Sequence, residues 1–116
     1  FAALLDKSLR IGLASDVAAG NSLSMLQQAK LASYRQSSLS LSPQRLFWHL
    51  TLGAAEALGW HDRIGSLQIG KEADLCKFKL NAHHAVDDQL LPKLIYLNDE
   101  FRISKTIIKG NTVFQS

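Results

Sequence analysis

Apolar positions change their spacing along the chain, and each change marks an element. Residues 1–9 read as the end of a helix or its exit, with Phe1, Leu4 and Leu5 apolar and Lys7 placed late. Arg10-Ile11-Gly12-Leu13-Ala14 is short and mostly apolar, the texture of a strand buried on both faces as in a parallel sheet. It runs into a loop of small residues, Ser15-Asp16-Val17-Ala18-Ala19-Gly20-Asn21. Ser22 or Ser24 is placed to cap the helix that follows. Met25, Leu26, Ala29, Ala32 and Ser33 recur at helical spacing and predict a helix over residues 23–36. After a polar break over 37–42, Ser42-Pro43 is a helix start: serine caps, and proline loses an N–H that would have no partner there. Leu46, Phe47, Leu50, Ala54, Ala57 and Leu58 line one side, and Gly59 closes the helix.

The texture changes near residues 60–68. Gly65, Gly70 and Lys71-Glu72 punctuate short segments. Asp74 to Leu80 alternates, with positions 76, 78 and 80 apolar, which predicts a half-buried strand with Cys76 turned inward as a small hydrophobe. Residues 81–89 read as a polar loop. Pro92 to Leu97 reads as a short helix packing Leu94, Ile95 and Leu97. Residues 105–108 and 112–114 flank Lys109-Gly110-Asn111 as a β-hairpin.

These parts do not make a comfortable domain. The buried-type strand at 10–14 has no partner of matching character, and the last strands are too few to close a sheet. The chain also begins at Phe1 rather than methionine. The expectation is a fragment that packs on a larger body and, alone, associates through its exposed apolar surface.

Composition narrows the class. An apolar fraction of 47% with 20% charged residues fits a soluble globular chain. No run approaches the roughly 18 apolar residues of a membrane helix, and no basic n-region followed by an apolar stretch marks a secretory signal in these residues. The single cysteine excludes an internal disulfide and suits a reducing, cytoplasmic setting. The net charge of +3 is spread over scattered lysines and arginines without an aromatic-basic cluster, which argues against nucleic acid.

Asp16 is the candidate for chemistry. It follows a buried-type strand and precedes a helix, where barrel enzymes place catalytic groups. A carboxylate there can bind a metal or move a proton, or it can simply cap a turn. His49, His61, His83 and His84 form no metal-type pair and read as structural or solvent-exposed. The signature H-x-E with P-C-x-x-C is absent, as are the P-loop, G-x-G-x-x-G and G-x-S-x-G. Asp87, Asp88, Asp99 and Glu100 read as a solvated face.

Three segments together resemble the amidohydrolases. Gly12-Leu13-Ala14-Ser15-Asp16-Val17-Ala18-Ala19-Gly20 with Ser24-Met25-Leu26 is similar to G-L-G-T-D-V-A-G-G with S-M-L. Leu52-Gly53-Ala54-Ala55-Glu56-Ala57-Leu58-Gly59, Ile64-Gly65 and Gly70-Lys71-Glu72-Ala73-Asp74 are similar to T-L-G-G-A-x-A-L-G, I-G and G-K-E-A-D. Leu94 to Glu100 resembles the L-Y-L-G-D-D ending of guanine deaminases. The resemblance covers Arg10 to Phe114.

It implies an α/β fragment: residues 1–62 as the last strand and helices of a (β/α)8 barrel, and 63–116 as the C-terminal strands of the flanking β-sandwich. It implies zinc in the intact parent, with Asp16 as metal ligand and as the catalytic group that takes a proton from the attacking water. It implies guanine as substrate, the missing N-terminal barrel portion as partner, and a homo-oligomeric parent. The histidine ligands and the proton-shuttling glutamate of the family lie upstream, so no activity is expected of this chain alone. Ala14-Ser15, Ala19, Ala54, Asn98 and Phe101 depart from the family pattern without removing the aspartate. A sibling amidohydrolase acting on another ring amidine or amide, and a non-catalytic packing domain, are the competing readings.

Overall fold

Two serines and a proline set the helical part. The computed structural model describes residues 9–16, 18–35 and 40–116. The expected helix exit over 1–9 therefore lies outside the described residues except at Leu9, as do Val17, position 36 at the end of the helix expected over 23–36, and positions 37–39 of the polar break. Helix α1 spans Met25–Tyr34, with the Ser24 hydroxyl accepting from the Gln27 N–H at 3.3 Å. Helix α2 spans Pro43–Leu50, and the Ser42 hydroxyl accepts from the Arg45 N–H at 3.2 Å.

The single helix expected from 43 to 58 is broken. Thr51 leaves helical geometry (φ −123°, ψ −101°), and helix α3 restarts at Leu52–Ala57. The Thr51 hydroxyl donates to the Phe47 carbonyl at 2.8 Å, a back-bond that bends helices. Gly53 explains what the break permits: a Cβ there would lie 2.5 Å from the Trp48 ring, so only glycine lets the ring rest on the backbone. The end of α3 meets expectation. Gly59 takes φ 72°, its N–H bonds the Glu56 carbonyl at 3.1 Å, and the Trp60 N–H bonds the Ala55 carbonyl at 2.8 Å. This pair of bonds is a Schellman cap.

The strand expected at 10–14 does not form. A strand needs a neighbour, and among the described residues none lies beside it. Its backbone turns to the end of α2 instead, where the Leu13 N–H donates to the His49 carbonyl at 2.9 Å.

Strands β1 (Leu75–Lys79), β2 (Arg102–Ile108) and β3 (Asn111–Gln115) form one antiparallel sheet in that order. Cys76 is exposed, contrary to the inward placement expected from alternation. The register slips between Lys77 and Phe78, where β2 carries the extra residue Ser104, and the half-buried positions of β1 are Leu75 and Phe78. A second irregularity separates Thr106 and Ile107. The hairpin turn is as expected: Lys109 (φ 50°) and Gly110 (φ 79°) are both left-handed, as a two-residue type I′ turn requires. It is tied back to the linker, with the Lys109 N–H donating to Asp74 Oδ1 at 2.8 Å and the Gly110 N–H to the Ala73 carbonyl at 3.1 Å.

Helix α4 spans Leu90–Tyr96 and starts two residues before the expected proline. Pro92 thus falls within the first turn, where N–H groups have no helical partner. Asp87 organises this start, its Oδ1 accepting from the Gln89 N–H at 3.0 Å. Ile95 is buried as expected, but Leu97 is exposed and a 3-10 turn follows over Asn98–Glu100.

The core lies among α1, α2 and α4. Ala29, Leu41, Leu46 and Ile95 are buried, and Leu13, Leu26, Ala32, Leu50, Leu91 and Tyr96 pack around them. Tyr34 and Tyr96 stack at 6.3 Å.

Candidate functional site

The segment that delivers Asp16 is held at three points. The His49 Nδ1 lies 2.7 Å from the Ile11 carbonyl oxygen. The Leu13 N–H bonds the His49 carbonyl. Between them Gly12 touches α3, where a Cβ would come within 2.9 Å of Ala54. Asp16 then makes a tight turn. Its Oδ1 accepts from the Ala18 N–H at 2.9 Å and the Ala19 N–H at 3.2 Å, and its carbonyl accepts from the Gly20 N–H at 3.0 Å. Gly20 has no room for a side chain, since a Cβ would lie 2.4 Å from the Asp16 carbonyl oxygen. The small residues of this loop thus serve a turn that closes on itself. Both the metal and the capping readings remain compatible with this geometry, because the turn uses one carboxylate oxygen.

Asp16 is exposed, and its pKa is lowered below the ordinary carboxylate value by the Ala18 N–H first and the Ala19 N–H second, opposed by slight desolvation. The two amides stabilise the anion. Beyond the turn, the Gln28 side chain donates to Ser22 O at 2.8 Å and Asn21 Oδ1 at 3.3 Å, drawing the loop onto the start of α1. A polar cleft opens beside it, lined by Asn21, Ser22, Ser24, Gln27, Asn98 and Arg102. Asn98 is buried in its wall and donates to Gln27 Oε1 at 3.1 Å and the Ile95 carbonyl at 2.9 Å.

The histidines do not converge on Asp16. His49 is buried, edge-on to Trp48 at 4.8 Å. His84 stacks on Phe101 at 4.4 Å, and its Nε2 lies 3.6 Å from Glu100, so that acid is not merely solvated. His61 pairs with Asp62 at 3.6 Å, and His83 is exposed. Among the described residues no three histidine, cysteine or acidic side chains gather around one point. An anionic, exposed oxygen such as Asp16 Oδ2 suits zinc as one ligand, but a zinc site takes three or more protein ligands. The remaining ligands of any such site lie outside the described residues.

The grip of His49 on residues 11 and 13 was not foreseeable from the chain as a positioning contact. The available signal was a histidine three residues after Leu46, on the helix face that carries the core.

The sequence pattern of the amidohydrolase family matches residues 1–113. The chain belongs to that family. It is 28% identical to human guanine deaminase over 130 residues, covering 95% of this chain and 29% of that protein. It is 31% identical to guanine deaminase of Escherichia coli strain K12 over 121 residues, covering 94% of this chain and 27% of that protein. Among solved structures, E. coli guanine deaminase superposes with a TM-score of 0.87 at 28% identity, over 99% of this chain and 30% of that one. An adenosine deaminase from Xanthomonas campestris with bound zinc superposes with a TM-score of 0.74 at 30% identity, over 95% of this chain and 27% of that one. This amidohydrolase chain spans less than a third of the length of these relatives.

Proposed function

We propose that this chain is the C-terminal portion of a guanine deaminase-like hydrolase that converts guanine and water to xanthine and ammonia. Residues 1–62 belong on this reading to the end of a (β/α)8 barrel, and 63–116 to a small β-sandwich. The observation that carries it is Asp16: an exposed, anion-favouring carboxylate at the end of a segment anchored at three points. The similarity to guanine deaminases over nearly the whole chain supports the substrate.

In this assignment Asp16 would be one ligand of a zinc ion and would accept a proton from the attacking water. Bound zinc supplies Lewis acidity toward that water. The Ala18 and Ala19 amides hold the carboxylate ionised and fix its orientation through Oδ1, which reserves Oδ2 for the metal or the proton. Water adds at C2 of the purine and ammonia leaves. On this reading the described residues supply one such carboxylate, and the other metal ligands and the substrate walls come from the rest of the longer protein. The expected setting is cytoplasmic.

A second reading is a sibling deaminase of an adenosine-type substrate, favoured by the likeness to the Xanthomonas enzyme. The test is the absorbance change of guanine to xanthine with the full-length protein, run beside adenosine and beside this chain alone. Conversion of guanine by the full-length protein only is the expected result. Conversion of adenosine without guanine would give the substrate to the second reading. A full-length protein that turns over neither purine would overturn both purine readings and leave another ring amidine or amide, or a non-catalytic packing role.

A further inference from the structure

We propose that His49 is a positioning residue for Asp16, setting the reach of the 11–16 segment through its side chain and its own carbonyl together. This rests on the reading of Asp16 as metal ligand given above. A segment with no neighbouring strand among the described residues has carbonyl and N–H groups that need partners. His49 satisfies two of them on alternate residues. A carbonyl oxygen only accepts, so the short contact of 2.7 Å to the Ile11 oxygen puts the proton on Nδ1 of the ring. The His49 carbonyl lies in the last turn of α2, where helical carbonyls lack partners, and it accepts from the Leu13 N–H at 2.9 Å. One residue therefore clamps positions 11 and 13, and Asp16 follows three residues later.

The clamp is rigid. The ring is 1% exposed and wedged against Trp48, and Trp48 in turn lies on Gly53 beyond the helix break. Gly12 is pressed on Ala54 between the two hydrogen bonds. A shift of α2 or α3 is thus passed to the backbone that leads to Asp16. A displaced ligand or base loses rate steeply even when the fold survives.

The chemistry of the clamp selects the variants. In asparagine the amide nitrogen is separated from Cα by the same number of bonds as Nδ1, so His49→Asn keeps the donor. Glutamine puts its nitrogen one atom farther out. Leucine fills the space and offers no donor. In the full-length protein, His49→Leu should lower kcat for guanine about 10- to 100-fold with KM little changed. His49→Asn should recover most of that loss, and His49→Gln much less. Asp16→Asn, in the same series, should abolish turnover while the protein stays folded.

The readouts are kcat and KM per folded molecule, zinc content, and the thermal midpoint. A His49→Leu protein that melts lower but turns over like the parent per folded molecule would overturn the inference, since histidine would then serve packing alone. Equal kcat in the Asn and Gln variants would overturn it too, and this pair decides the matter if the leucine variant does not fold. Activity retained by Asp16→Asn would instead overturn the reading of Asp16 itself, an outcome separable from the others.

Discussion

Helices α1, α2 and α4 enclose Ala29, Leu46 and Ile95 completely, whereas no residue of β1, β2 or β3 is buried. The helical region has side chains on several sides of each core residue. The sheet region has a hydrogen-bonded ladder, a type I′ turn and the ties from Asp74 and Ala73, but its apolar residues Ile103, Ile108, Val113 and Phe114 remain exposed. A three-stranded sheet gains independent stability from a packed hydrophobic face. One region carries its own core, while the other has an apolar face left uncovered among the described residues. On the proposed reading a second layer from the rest of the longer protein covers it.

The sharpest way to break the contrast is a cavity in the helical core. Leu46→Ala should cost about 2–5 kcal/mol, enough to unfold the helical part of the isolated chain in a urea titration followed by circular dichroism. Little loss would mean that the helices are no better consolidated than the sheet. Gly53→Ala probes the helix break, because its Cβ would meet the Trp48 ring at 2.5 Å. It should cost about 1–3 kcal/mol, read in the same titration, together with a changed Trp48 fluorescence.

The sheet should answer differently in two settings. Phe114→Ala should cost under about 1 kcal/mol in the isolated chain, where the ring is half exposed. In the full-length protein the same change should cost about 3 kcal/mol or more, as for a buried ring. Equal small costs in both would remove the second layer from the account.

The smallest effect belongs to the Asp16 turn. Its folded pKa is lowered by the Ala18 and Ala19 amides. The turn therefore contributes fully above the ordinary carboxylate value and loses its contribution as pH falls through the lowered one. The Ala18 and Ala19 amide resonances should move together with the Asp16 carboxyl in an acid titration. A pKa at or above the ordinary value would show that the turn does not hold the carboxylate.

Local chemistry was legible in the chain where a residue acts on its own neighbours. Ser42-Pro43, Gly59 and Lys109-Gly110 each fix a cap or turn within a few positions, and each stands where expected. Features that depend on distant partners were not. The strand at 10–14 lacked a neighbour, so helix α2 took its hydrogen bonds. Thr51 looked like one more helical residue until its hydroxyl turned to Phe47 and Trp48 came to rest on Gly53. Cys76 alternates as expected but is exposed, because no residue of this sheet is fully buried. Asp16 could be singled out from its place between a buried-type segment and a helix, but His49 could not be connected to it, since among the described residues the two are joined through the backbone of residues 11 and 13.

The most direct test is the zinc content of the full-length protein, wild type against Asp16→Asn, measured by mass spectrometry alongside guanine turnover. Zinc and turnover are expected in the wild type, and in the variant a folded protein with weakened zinc retention and no turnover. A variant that holds zinc as firmly as the wild type and still produces xanthine would contradict the assignment of Asp16.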